Sequence, residues 1–284
     1  MKRREFIGAA LASGAALLTA APAQLFGKAP KSASDVVTLG QTGIQTSRLA
    51  IGTGSNGWGG SSNQTRNLGI KGLASLLEAA YEEGVRFWDS ADQYGTHPHL
   101  KEALKRVPRE KVTILTKTRA TTADAMKKDL DRFRSEIGTD YIDIVLLHCM
   151  TEGRWPEIKK GAMEVLSKAR EDGLIRAHGV SCHTMQALKA AEASNWVQID
   201  LARINPYGSH MDGSVQEVAS ILRNMKKQGK AVMGMKILGN GSLVGKMEEC
   251  LRFALSQDYL DCFTIGFESL SQFKEAAAMI GKVG

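Results

Sequence analysis

Four residues with different chemistry close successive apolar runs of this 284-residue chain. Asp89 ends "VRFWDSA", with Tyr94 five positions further on; Lys117 ends "KVTILTKT", and His148 ends "YIDIVLLH". A lysine at the end of an apolar run must reach water or find a carboxylate, and Asp89 is one run away. Such a pair alone is structural. Tyr94 changes its meaning, because a phenol beside a buried cation is an acid that donates a proton and later recovers it. An unperturbed tyrosine titrates near ~10, and a cation ~4 Å away at an effective dielectric of ~20 contributes ~4 kcal/mol, or about three pK units. The expectation is a Tyr94 brought close to neutrality, where general acid–base chemistry works best.

These residues need elements that deliver them to one place. From residue 36 the chain opens with a hairpin-like "VVTLGQTGIQTS" and then alternates β-branched runs with amphipathic helical patterns. The strand candidates are "RLAIG", "VRFWDSA", "KVTILTKT", "YIDIVLLH", "IRAHGVSC", "VQIDLARIN", "AVMGMKIL" and "DCFTIGF". Helical patterns such as "TADAMKKDLDRFRSEIG" and "SVQEVASILRNMKKQG" lie between them, several closed by glycine. Eight βα units predict an α/β (β/α)₈ TIM barrel preceded by a short β-hairpin, occupying residues 36–284 as one domain. In such barrels the chemistry sits at the C-terminal strand ends, where all four residues fall. The stretch "GTGSNG" at 52–57 has the glycine spacing of a dinucleotide-binding loop, but helical periodicity begins only near Leu73, so no helix follows to face a pyrophosphate.

In order and spacing, "DSADQYG" at 89–95, "TKT" around Lys117 and His148 after "DYIDIVLL" resemble the Asp, Tyr, Lys and His tetrad of the aldo-keto reductases. The likeness extends to "LGQTGIQTSRLAIGTG", "GVSCH", "GMKILGNGSL" and "LRFALSQDYLDCFTIGFESLSQF". The resemblance implies hydride transfer between NAD or NADP and a small carbonyl or alcohol substrate. Tyr94 would protonate the carbonyl oxygen, Lys117 would lower its pKa, Asp89 would hold Lys117, and His148 would orient the substrate. The cofactor would meet Gly52, Thr53 and Gly54, then Ser181 and Cys182, then Lys236, Leu238, Gly239 and Gly241, and finally Gly266 and Gln272. The insert from Ser55 to Gly69 would be a flexible wall of the substrate pocket, with Trp58 either a packed anchor or a substrate contact. The pattern departs from the family at several points: Cys182 and Leu201 fall where Asn and Gln usually hold the carboxamide, and Ala276 falls where an Asn is common. No Lys or Arg stands just after the eighth strand, which points to NAD rather than its 2′-phosphorylated form, or to an unusual pose of the nucleotide. With the chain ending at Gly284, soon after the eighth helix, the expectation is a pocket that is wide or is closed by a partner.

Outside the barrel, "MKRREFIGAALASGAALLTAAPAQ" has the basic start, apolar stretch and cleavage site of a secretory leader over residues 1–23, with 24–35 as linker. Arg3-Arg4-Glu5-Phe6-Ile7 resembles a twin-arginine signal, which implies the twin-arginine export machinery as a partner, an exported or periplasmic destination, and no stable membrane anchor once cleaved. Loss of Lys2, Arg3, Arg4 and Glu5 lowers the net charge from +7 to +5, and no basic run interleaved with aromatics remains, so nucleic acid is not an expected partner. Cys149, Cys182, Cys250 and Cys262 show no C-x-x-C spacing and no disulfide framework. An alternative reading gathers His97, His99, His148, Cys149, Cys182, His183 and His210 at one face as softer metal ligands. That arrangement would suit a metal-assisted or non-redox enzyme, or a binding protein on the same barrel; substrate contact is the other reading of His97 and His99, and no metal is assigned.

Overall fold

The computed structural model describes residues 30–284, so the leader expected at 1–23 lies outside the described residues. Eight parallel strands close into a barrel: β3 (Leu49–Gly52), β4 (Phe87–Asp89), β5 (Thr113–Thr118), β6 (Ile142–Met150), β7 (Ile175–Cys182), β8 (Ile199–Arg203), β9 (Ala231–Met235) and β10 (Cys262–Gly266), with β10 pairing back to β3. They coincide with the eight predicted runs. Around them lie α1 (Asn63–Glu82), α2 (His97–Ala103), α3 (Ala123–Ile137), α4 (Trp155–Ile158), α5 (Lys160–Glu171), α6 (Met185–Ala193), α7 (Val215–Lys227), α8 (Met247–Ser256) and α9 (Leu270–Val283). Among the described residues no helix is long and apolar enough to cross a membrane.

Before the barrel, β1 (Val36–Thr38) and β2 (Gln45–Ser47) form the antiparallel hairpin. Its tip lies against the start of β9: the Gln41 amide donates to Gly229 O at 2.9 Å, and a Cβ on Gly40 would come within 2.4 Å of the Ala231 nitrogen. Leu39 and Ile44 are fully buried in the same cluster as Ala50, Phe87, Leu115, Ile144 and Ile199. The hairpin thereby plugs the end of the barrel where the strands begin.

Alternation along the strands sorts the side chains into two layers. Phe87, Leu115, Ile144, Leu146, Ala177, Ile199, Leu201, Met233 and Met235 fill the interior. Their neighbours Trp88, Ile114, Val145, Leu147, Val180 and Val232 pack outward against the helices. Counting onward by twos from the interior set reaches Asp89, Lys117, His148 and Ser181. The same parity that builds the core therefore aims the chemistry at the open end.

Helix starts follow local side-chain chemistry. Thr122, Thr184, Ser214 and Ser269 accept from backbone amides at the starts of α3, α6, α7 and α9. The first helix departs from expectation. It begins at Asn63, ten positions before the apolar period at Leu73, because Ser62 and Thr65 cap one another reciprocally and Gly69 (φ 60°) joins a polar first segment to the apolar one. Much of the insert expected as a flexible wall is therefore helix.

Candidate active site

The four tetrad candidates meet at the open end. The Lys117 ammonium donates to Asp89 Oδ1, to Ser90 O at 2.8 Å, and to the Tyr94 hydroxyl at 3.5 Å. With Lys117 at 1% and Asp89 at 5% exposure, this is a buried ion pair, and removing either partner would leave an uncompensated charge. A register shift between Leu147 and Met150 re-aims the end of β6, with Cys149 left-handed at φ 60° and its amide donating to Ser181 Oγ at 2.9 Å. His148 lies at this bulge, its ring set edgewise to Tyr94 with centroids 5.6 Å apart.

Tyr94 ends a short helical turn, Asp92–Tyr94, that stops at Gly95 with φ 65°. The glycines of "GTGSNG" explain its position. A Cβ on Gly54 or Gly57 would lie 2.2 or 2.3 Å from the Tyr94 ring, so the loop after β3 folds directly onto the phenol. Thr53 supports the same corner from behind: its hydroxyl bonds to Asp89 O and to Thr96 Oγ1, both at 2.9 Å, and Thr96 meets Ser90 Oγ at 2.7 Å.

The electrostatics correct one expectation. Burial raises the Tyr94 pKa above the ordinary tyrosine value and outweighs the opposing pull of Lys117. The phenol is therefore a neutral donor through neutral pH rather than an acid poised near it. For Lys117, burial acts to discharge the amine, but Asp89 and then Tyr94 reverse this and hold its pKa above the lysine norm. His148 is pushed well below the histidine norm, by burial first and Lys117 second, and so presents a neutral ring.

Beside the tetrad opens a cavity of about 330 Å³, walled by the ends of β3, β9 and β10 and by the start of α9. Asp89 and Tyr94 line it, together with Gly52, Gly54, Lys236, Leu238, Gly241, Gly266 and Gln272 of the predicted cofactor residues, and Leu201 contributes an apolar patch. Asn56 and Asn240, also in its wall, are hydrogen-bonded to each other at 3.0 Å. Lys236 donates to Asn240 Oδ1 at 2.7 Å, and burial lowers its pKa.

The Aldo/keto reductase family model matches residues 48–279. The chain belongs to this family. An aldo-keto reductase of Bacillus subtilis is 27% identical over 240 residues, covering 76% of this chain and 65% of its own length. A Corynebacterium 2,5-diketo-D-gluconic acid reductase B is 31% identical over 156 residues, covering 50% of this chain and 53% of its own. The chain thus spans between about half and two-thirds of these curated relatives. A solved aldo-keto reductase from Bacillus halodurans, in its holo form, superposes with a TM-score of 0.71 at 16% identity, covering 87% of this chain and 91% of that one. A Pseudomonas aeruginosa structure gives a TM-score of 0.75 at 20% identity, covering 89% and 97%. At those identities the likeness is one of fold.

Within this reductase barrel, some predicted cofactor residues stand elsewhere. Cys182 does not face the cavity: one position beyond inward-facing Ser181, it packs fully buried in the layer between barrel and helices, beside Asp200. Ser181 is buried with its hydroxyl accepting from Cys149, Thr53 faces the Asp89 carbonyl, and Gly239 is buried at φ 54° in the turn whose Ser242 hydroxyl donates to its carbonyl.

The metal reading is also corrected. Among the described residues, Asp92, His97 and Glu136 are the only group of three or more such side chains with ligand atoms mutually within 4.8 Å, so the His148, Cys149, Cys182, His183 and His210 set does not converge. A cation already serves that trio. Arg132 bonds to Asp92 at 2.7 Å and Glu136 at 3.1 Å, while His97 uses both ring nitrogens, on Glu136 and Thr116, at 2.7 Å each. His97 consequently faces α3 rather than the mouth, and His99 is buried in α2.

Sequence reasoning missed the acidic end of the cavity, where Glu268 and Glu275 join Gln272 in the wall. The signal was present in "GFES": a carboxylate stands just where basic residues were sought.

Proposed function

We propose that this chain transfers hydride between NAD and a small carbonyl or alcohol substrate, as an exported member of its family. The reading is carried by the convergence of Asp89, Lys117, Tyr94 and His148 beside the cavity of about 330 Å³ at the strand ends. Bound there, a nicotinamide cofactor would supply the hydride. Gly52, Gly54, Gly241 and Gly266 line its wall, Gly241 with open space where a Cβ would stand, and Leu201 offers an apolar contact.

The side chains supply the proton chemistry. Tyr94, kept protonated by burial, donates its phenolic proton to the carbonyl oxygen. Lys117 stays cationic against Asp89 and stabilises the phenolate as it forms. Neutral His148 offers a ring nitrogen that orients the same oxygen, and the glycine loop keeps solvent from one face of the phenol.

Charge favours NAD over NADP. Glu268 receives amide protons from Asn63 and Asn67, both at 2.6 Å, so its carboxylate is fixed in the wall near Glu275. Among the described residues Lys236 is the only cation lining the cavity, and it leaves from β9 rather than from α9. A fixed carboxylate suits a ribose diol and repels a phosphate monoester.

The sugar-acid reductase among the relatives supports a hydrophilic substrate. The arginine pair of the leader supports export of an already folded protein, for which a tightly held cofactor is the natural companion. The test is to purify the protein expressed with its leader, denature it, and analyse the released small molecules and metals by mass spectrometry. Stoichiometric NAD is the expected result; NADP alone would overturn the cofactor preference, and a metal without nucleotide would overturn the redox reading.

A further inference from the structure

The rim opposite the acidic wall has the opposite character. Arg119 directly follows β5, two positions after Lys117, and its guanidinium stands over the Trp58 indole with Cζ 5.1 Å from the ring centroid. Trp58 is itself pinned: its amide donates to Ser61 O at 2.8 Å and its carbonyl accepts from Ser61 N at 3.2 Å. It follows Gly57, which lies against the Tyr94 ring, and still leaves 67% of its surface to solvent.

The other cations of this face are already engaged. Lys117 is held by Asp89, Arg203 by Asp212 and the His183 carbonyl, and Lys236 by Asn240. Lys159 donates to the Arg119 and Ala120 carbonyls at 2.8 and 3.1 Å, which adds a second positive charge to the rim. Among the described residues Arg119 has no ion pair and no side-chain hydrogen bond. Stacking on an indole leaves the in-plane N–H edges of a guanidinium free, and those edges match a carboxylate bidentately. The site is also close to the reacting groups, since the Arg119 charge contributes to the depression of His148.

We propose that Arg119, held over Trp58, is a substrate-recognition residue, and that the substrate is an oxo acid or hydroxy acid whose carboxylate lies at the Arg119 rim while its carbonyl or hydroxyl lies at Tyr94. This rests on the redox reading for the carbonyl, but the carboxylate subsite is testable without it.

The probes are 4-carboxybenzaldehyde and its neutral isostere 4-carbamoylbenzaldehyde. Their binding to the full chain is measured by calorimetry without added nucleotide, and their turnover with NADH. The acid is expected to bind at least about tenfold more tightly than the amide, as a charged hydrogen-bonded contact requires. Arg119→Met removes that advantage while leaving the amide's affinity unchanged, and Arg119→Lys restores it only in part because the fork is lost. In turnover the loss falls on KM rather than kcat. Equal affinities in the wild type, or an advantage that survives Arg119→Met, would overturn the proposal. If neither aldehyde is reduced yet the acid still binds through Arg119, the redox reading fails and the carboxylate subsite stands.

Discussion

Asn56 and Asn240 reach across from the loops after β3 and β9 and meet in a 3.0 Å hydrogen bond at the wall of the cavity. Both have left-handed backbones, at φ 50° and 56°, which turns their side chains toward each other. An exposed neutral hydrogen bond contributes about 1 kcal/mol. Asn240→Ala should therefore raise the dissociation rate of bound NADH several-fold, followed by loss of its fluorescence on chasing with NAD, with the melting temperature nearly unchanged.

Tyr94 carries the second prediction. Because burial raises its pKa, the phenol stays protonated through neutral pH, so carbonyl reduction should be flat from about pH 6 to pH 9 and fall only above the ordinary tyrosine range near ~10. Alcohol oxidation needs the deprotonated form and should rise over the whole range. Tyr94→Phe should lower kcat by about 10²-fold or more while cofactor affinity is kept. A reduction rate that already halves near neutrality would contradict the burial argument.

Gly54 and Gly57 give a sharper steric test. Either alanine would overlap the Tyr94 ring, so Gly54→Ala and Gly57→Ala should depress kcat strongly by displacing the phenol. Gly59 and Gly60, with nothing within 4 Å of a Cβ, are useful controls for space, although their positive φ makes alanine strained there as well. Comparing kcat with thermal stability across the four variants separates displacement of Tyr94 from general loop strain.

Away from the site, Asp200 is fully buried in the outer layer beside the Cys182 thiol, and burial pushes its pKa up to about 7. The folded state therefore keeps a proton that the unfolded chain releases near ~4, and this group's contribution to stability declines as pH rises from about 4 to about 7. His178, pushed by burial to about 4, works in the other sense: its contribution is lost as pH falls below the unfolded value of ~6.5. The Asp200 effect is isolated by difference. Asp200→Asn should be nearly neutral at about pH 3 and stabilising at pH 8 by up to about 4 kcal/mol, read from denaturant midpoints at both pH values.

Glu268 offers a reversal. Replacing it by Gln keeps a partner for Asn63 but removes the charge, and Glu268→Arg adds a phosphate ligand. The ratio of NADPH to NADH dissociation constants should fall in that order, by about tenfold or more for the arginine.

Much of this molecule was legible from period and spacing. The eight apolar runs lie where the strands lie, and parity along them brought Asp89, Lys117 and His148 to one mouth. What was not legible depends on which groups fold over which. The Tyr94 proton affinity could be signed only once Gly54 and Gly57 were seen covering its ring, because the nearby charge was readable and the burial was not. Cys182 illustrates the limit of a resemblance in order and spacing, since one position along a strand separates the inner face from the outer. The early start of α1 was hidden because its capping pair uses Thr65 rather than a Glu or Gln, and because its first turns are polar.

The hairpin at the far end of the barrel bears on the order of events. Among the described residues, Leu39 and Ile44 close the end where the strands begin, which leaves the mouth at the strand ends as the approach to the tetrad. On the proposed redox reading, nucleotide, substrate and product would all use it, and whichever entered first would be overlaid by the next. Exchange there would then be a queue, with the nucleotide arriving early and leaving late and the organic substrate coming and going above it. Were the protein exported with a nucleotide already inside, as proposed above, that sequence would suit it, since only the outermost guest would have to turn over.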